Sequence, residues 1–202
     1  MTIQEYYSLD DRTKDVCPNE DFLPTVIIVD NFYNNPDIVR EYALSREYAS
    51  PEYHGAIGHR TLECKHFKGV RDKFESILGK KMSEGTELGG WDYATNGVFQ
   101  HCIAKDPFVI HADNQQWAAM VYLTPDPPIE CGTTLYRHKE TGLEKVERLE
   151  DWDIFKDNHY DPTPFEATDV IGNKYNRMVL FDAKHIHAAS QYFGDSIDND
   201  RV

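Results

Sequence analysis

The sequence predicts a mainly β protein with flanking helices, built on a double-stranded β-helix core of the jelly-roll or cupin-like kind. Three observations predict it. From about residue 91 onward, short extended runs follow one another, separated by Pro, Gly, Asn and Asp turns. No regular helical spacers lie between these runs, which favours antiparallel pairing over βαβ crossovers. Ahead of them stand one strand and two amphipathic helical patterns, which fit outside one sheet of such a core. At 202 residues and 40% hydrophobic, the chain fills one sizeable core. Residues 1–202 therefore read as a single domain, with a strand and flanking helices over 1–90 and the jelly-roll core over 91–202.

Each element has its own signal. "PTVIIVDNFY" (24–33) is a β-branched run ending in a turn, hence a strand. In "NNPDIVREYALSREY", Asn35 is placed to cap a helix, Pro36 suits its first position and Asp37 suits its N-terminal dipole. Ile38, Val39, Tyr42 and Ala43 form its apolar stripe. "HFKGVRDKFESILG" repeats the pattern with Phe67, Val70, Phe74, Ile77 and Leu78, and Gly79 is a plausible stop. The strands expected after residue 91 are "NGVFQHCIAK", "FVIHAD", "WAAMVYLTP", "GTTLYRH", "FEATDVIG" and "NRMVLFDA". An acidic insertion at about 138–164 interrupts them, with Leu143, Val146, Leu149 and Trp152 spaced by three as in a short helix. Such a segment is either a lid or recognition element or an ordinary surface excursion.

Composition excludes several classes. The net charge of -14, from 35 Asp+Glu against 21 Lys+Arg, repels phosphate backbones, and no basic groove offsets it, so no nucleic-acid partner is expected. No stretch approaches the roughly 20 apolar residues of a membrane helix. The opening "MTIQEYYSLDDRTKD" is polar and lacks the apolar stretch of a secretory signal. Cys17, Cys64, Cys102 and Cys131 show no C-x-x-C pair, and a reduced, cytoplasmic protein is expected.

The chemistry concentrates in two places. "IHADN" (110–114) puts His111 and Asp113 two apart ahead of the apolar run "WAAMVYLT". On a strand, residues two apart point to one face, so imidazole and carboxylate converge. "VLFDAKHIHAAS" (179–190) then supplies His185 and His187 just beyond a buried strand. Two histidines and a carboxylate make the facial triad that suits non-haem Fe(II), with metal positions left open. H-x-D alone also describes a solvated loop His beside a turn Asp, and spacing does not separate His185 from His187.

These motifs resemble the Fe(II)- and 2-oxoglutarate-dependent dioxygenases, especially the prolyl-hydroxylase-like branch. The resemblance rests on "HADN", "AAMVYLTPD", "CGTTLYRH" and "MVLFDAKHIHAAS", and covers about residues 95–202. The stretch "VDNFYNNPDIVREYAL", with "HGAIGHRT" after it, is similar to small phage-type or bacterial members. The resemblance implies that His111 and Asp113 are metal ligands. His187 is the preferred distal ligand, because small residues follow it, and His185 is its rival. It implies Arg201 as the residue that binds the oxoglutarate C5 carboxylate, with Tyr122 reaching the same group; a plain core role for Tyr122 stands beside this. The chain stops at Val202, so either it is cut short or Arg201 is loosely fixed. The implied activity is oxidative decarboxylation of 2-oxoglutarate by O2, coupled to hydroxylation of a C–H bond in a small molecule, peptide or protein.

In "FQHCIA" (99–104), Phe99, His101 and Ile103 share a face that could line the pocket, although His101 reads first as a structural histidine. Two other functions stay open. "HIH" is also a cupin-like or zinc ligand signature, but "AASQYFG" lacks the Glu a cupin motif wants. A non-catalytic jelly-roll module would bind a partner through its acidic face, with the histidines as bystanders.

Overall fold

The computed structural model describes residues 24–51, 57–156 and 159–202. The polar opening, Cys17 and residues 54–56 of "HGAIGHRT" lie outside the described residues. The chain is mainly β-sheet with a few helices. Its elements run β1 (Val26–Val29), α1 (Pro36–Leu44), β2 (Tyr48–Ala49), β3 (His59–Thr61), α2 (Val70–Leu78), β4 (Gln100–His101), β5 (Trp117–Val121) and β6 (Thr133–His138). A 3-10 helix (Leu149–Phe155), β7 (Phe165–Ile171), β8 (Met178–Asp182) and β9 (His187–Ala189) complete them. Strands pair antiparallel in three small sheets, ordered β1-β8-β5, β2-β3-β4 and β7-β6-β9.

Strand β8 explains the layering. Its first four residues, Met178, Val179, Leu180 and Phe181, are all buried, the pattern of a strand covered on both faces. Met178 and Leu180 pack with Phe32 against Val70, Phe74, Ile77 and Leu78 of α2. Val179 and Phe181 point the other way, into a cluster with Tyr122, Leu135 and Ile171. The sheet β1-β8-β5 is thus sandwiched between a helix and the sheet β7-β6-β9. Two glycines are required locally. Gly79 ends α2 in the left-handed conformation (φ 66°). At Gly132 a Cβ would lie 1.8 Å from the Ile171 carbonyl oxygen, so only Gly admits the close approach of the two strand ends.

Several expectations change. Pro36 opens α1, but the Asn35 side chain makes no capping hydrogen bond. Val39 and Ala43 are buried, whereas Ile38 is 56% exposed, so the apolar stripe is narrower than its sequence pattern. "FVIHAD" forms no regular strand; it contributes the single bridge His111↔His187. The insertion is not detached from the core. Lys145 bridges to His185, and Val146, Phe155 and Phe165 pack in one cluster with Ile110 and Ile186. Its helix covers Leu149–Phe155, later than the spacing predicted, and Leu149 itself is 86% exposed. Among the described residues, Cys64, Cys102 and Cys131 are free thiols, and no helix is long and apolar enough to cross a membrane.

Candidate metal centre

The segments carrying His111 and His187 meet as an antiparallel pair. The His111 amide donates to the His187 carbonyl (3.0 Å) and the His187 amide to the His111 carbonyl (2.7 Å). Residues exchanging both hydrogen bonds project their side chains to the same side, and the two imidazole centroids are 4.2 Å apart. Two residues on, the Asp113 amide donates to the Ala183 carbonyl (2.8 Å), which fixes the carboxylate's approach. One nitrogen of each histidine and one Asp113 oxygen lie within 4.8 Å of one another. His185 is not part of this group; it pairs with Lys145, and its Nε2 is buried without a hydrogen-bond partner among the described residues.

The proton positions follow from the acceptors. His187 Nδ1 lies 2.8 Å from the His185 carbonyl, and His111 Nδ1 lies 3.3 Å from the Val109 carbonyl. A carbonyl only accepts, so both Nδ1 atoms carry a proton, and Nε2 is the nitrogen each ring has left for a metal. His187 Nε2 faces Asp113 Oδ2 across 3.7 Å, too far for a hydrogen bond. Burial, reinforced by the neighbouring His111, pushes the His187 pKa down to about 3, so the ring is neutral at ordinary pH. Burial also raises the Asp113 pKa, partly offset by the charges of His111 and Arg60 and by a hydrogen bond from Gln115. Two imidazole Nε2 atoms and a carboxyl group therefore converge, and the facing His187 and Asp113 atoms are not joined by a hydrogen bond. That donor set fits a divalent cation, and the carbonyl partners orient the rings as second neighbours of a metal usually do.

The wall beside this group comes from β8 and β6. Phe181 packs edge-on to His187 at 4.8 Å. The same inner cluster contains Leu135, whose register partner is His187, and Tyr122. The Tyr122 hydroxyl is hydrogen-bonded to Thr133 Oγ1 at 2.7 Å. The Arg201 guanidinium lies over the Tyr122 ring (5.4 Å) and beside Tyr192 (5.7 Å), with Nη2 3.7 Å from Met120 Sδ. Arg201 is not loosely fixed. Its carbonyl accepts from the Cys102 amide (3.0 Å) and its amide donates to the Cys102 carbonyl (3.3 Å), while the Val202 amide donates to Thr124 Oγ1 (3.1 Å). Asp200, fully buried, takes a 2.6 Å hydrogen bond with His101 Nδ1.

That last contact agrees with the structural reading of His101 in "FQHCIA" rather than with a pocket-lining face. Phe99 packs with Val39 and Ala43 of α1, and His101 serves Asp200, so this face is structural. Cys102, from the alternate face, is the residue beside Arg201, and burial pushes its thiol pKa up to about 11. Sequence reasoning missed Arg60, Gln115, Thr133 and Phe181. Phe181 was visible only as part of an apolar run, and nothing around Arg60 in "HRT" forms a motif.

A family model described as "Family of unknown function (DUF6445)" matches residues 101–200. No curated protein matches the chain. Among solved structures, the chain is similar to HygX from Streptomyces hygroscopicus with nickel, 2-oxoglutarate and hygromycin B bound. The TM-score is 0.51 at 9% identity, covering 100% of this chain and 84% of that one. A second HygX structure, with nickel and 2-oxoglutarate, gives 0.47 at 9% over the same shares. At this identity the likeness is one of fold.

Proposed function

We propose that this protein is a non-haem Fe(II)- and 2-oxoglutarate-dependent oxygenase that hydroxylates a C–H bond of a small molecule, peptide or protein. The observation that carries the reading is the convergence of His111, Asp113 and His187, with one nitrogen of each ring and one carboxylate oxygen within 4.8 Å of one another. In this reading residues 1–202 are one domain of a cytoplasmic protein, and its core is a double-stranded β-helix. The likeness of fold to HygX, whose structures hold nickel and 2-oxoglutarate, supports the choice of cofactors.

His111, Asp113 and His187 would hold the iron on one face, leaving its other positions for oxoglutarate and O2. When bound, iron would let O2 act as the oxidant, coupling decarboxylation of oxoglutarate to succinate and CO2 with hydroxylation of a C–H bond, one oxygen atom going to succinate and the other to the hydroxylated product. The chain's own residues do the rest. Arg201 presents a planar fork that suits the distal carboxylate of oxoglutarate, and the adjacent Tyr122 hydroxyl offers a hydrogen bond to the same group. Thr133 holds that phenol in place. Phe181 fixes the His187 ring and keeps water from that side.

Anaerobic titration of the protein with Fe(II) and 2-oxoglutarate tests this reading. A weak visible charge-transfer band is expected, lost in His111→Ala, and succinate release in air identifies substrates from a screen. Absence of the band in intact protein, or its persistence in His111→Ala, overturns the assignment. The cupin-like alternative, using His185 with His187, is disfavoured because His185 lies outside the converging group.

A further inference from the structure

The protein is strongly acidic, at net charge -14, and its arginines are consequently well supplied with partners. Arg71, Arg137, Arg148 and Arg177 each hold a carboxylate. Arg40 donates to backbone carbonyls and Arg46 to the Ser45 hydroxyl. Among the described residues two arginines break this pattern. Arg201 lies against Met120 and two tyrosine rings, a position the proposed function explains through oxoglutarate. The other is Arg60, whose Nε is buried and has no hydrogen-bond partner. A buried guanidinium N–H without an acceptor costs the desolvation of a charged donor, a cost that a bound anion would offset.

The place of Arg60 in the fold says where such an anion would lie. In the sheet β2-β3-β4, His59 faces His101 and the two rings stack at 4.8 Å. Arg60 pairs with Gln100 and so projects from the opposite face. On that face Gln100 Nε2 reaches Cys102 Sγ at 3.5 Å, and Cys102 is the backbone partner of Arg201. Arg60 therefore belongs to the side of the hairpin turned toward Arg201. Its charge also reaches Asp113. A divalent metal, Asp113, the oxoglutarate dianion and Arg201 would together be neutral, which leaves Arg60 as one uncompensated positive charge beside them.

We propose that Arg60 anchors a carboxylate-class anionic group on the molecule oxidised at this site. The inference rests on the oxygenase reading and narrows its substrate to an acid. A guanidinium fork grips a planar carboxylate bidentately, so substrates would be oriented with the acid group at Arg60 and the reacting C–H bond toward the metal.

The test uses full-length protein loaded with Ni(II) and 2-oxoglutarate, which is inert to turnover, and a matched probe pair of N-acetyl-L-alanine as its carboxylate and N-acetyl-L-alanine amide. Calorimetry should give tighter binding of the carboxylate by about tenfold, the size of one charge-assisted pair. Arg60→Gln should abolish that preference and Arg60→Lys should retain part of it, with thermal melts confirming that both variants fold. Oxoglutarate affinity should fall far more in Arg201→Gln than in Arg60→Gln. Equal binding of the two probes by wild type, or a preference that survives Arg60→Gln, overturns the inference while leaving the oxygenase reading intact. An equal loss of oxoglutarate affinity in the two Gln variants overturns it as well, because Arg60 would then hold the cosubstrate. If wild type binds no oxoglutarate, both readings fall together.

Discussion

The buried, neutral His187 should leave a signature in the stability of metal-free protein. An unfolded histidine titrates near 6.5, whereas His187 in the folded chain is pushed down to about 3 by burial and by His111. Between those values the unfolded chain binds a proton that the folded one refuses, so stability is full above about pH 6.5 and falls as pH drops through the window. At pH 4.5, two units below the unfolded value, the loss is on the order of 3 kcal/mol. For a chain of this length that corresponds to roughly 5–10 °C in Tm. Asp113, raised by burial, works in the opposite direction, since a carboxyl that protonates more readily when folded gains stability as pH falls. Asp113 stands 3.7 Å from His187, so chains with and without His187→Gln are compared in an Asp113→Asn background, which takes its titration out of both proteins. Urea unfolding of this chelator-treated pair at pH 7.5 and 4.5 measures the difference directly. If both proteins lose the same stability between the two pH values, His187 is not held as a buried neutral base, and the argument that the fold prepares it as a ligand fails.

The remaining expectations concern the same centre. Ni(II) titration by calorimetry should show at least about a hundredfold weaker binding for His111→Ala, Asp113→Ala and His187→Ala. His185→Gln should remain within about tenfold of wild type, the lower range for a residue next to a metal ligand. Arg201→Gln should raise the Kd for 2-oxoglutarate by about 10- to 100-fold, from the loss of a charge-assisted pair. Tyr122→Phe should raise it less and destabilise the fold by about 1 kcal/mol through the lost Thr133 hydrogen bond, read by equilibrium unfolding. Asp200→Ala, which leaves His101 without its acceptor, should destabilise by about 1–3 kcal/mol in the same assay.

Much of this arrangement is legible in the sequence, for stated physical reasons. The run "MVLF" reads as a strand covered on both sides because no polar residue interrupts it, and β8 is that strand. Gly79 reads as a helix stop because only Gly takes the left-handed turn without strain, and it does so. His111 and Asp113 are close in sequence, so their convergence needs only local extended backbone. What stays hidden depends on partners distant in the chain. "FVIHAD" looks like a strand from its β-branched residues, but only His111 finds a bridging partner. His185 and His187 have equal claims by parity; they part because the insertion returns through Lys145 and pairs with one of them. The sequence leaves open whether the face of "FQHCIA" lines a pocket, because local alternation does not reveal that Phe99 belongs to the packing of α1.

Three groups in and around the centre sit in states that a bound ion would relieve. By contrast, Asp30, paired with Arg177 and Lys174, is driven well below the usual carboxylate range, and Glu75 is lowered by Lys81, Met82 and Arg71. At the centre, Asp113 is instead raised, His187 is denied its proton, and Arg60 keeps a buried N–H with no acceptor. Each of these states is unfavourable alone, and packing against Phe181 and the surrounding strands holds His187 where it is. A folded chain keeps such frustration where a ligand relieves it. A cation between Asp113 and the two imidazoles, with anions at Arg201 and Arg60, would relieve all of it at once. A set of unrelated packing defects would instead have to be explained residue by residue.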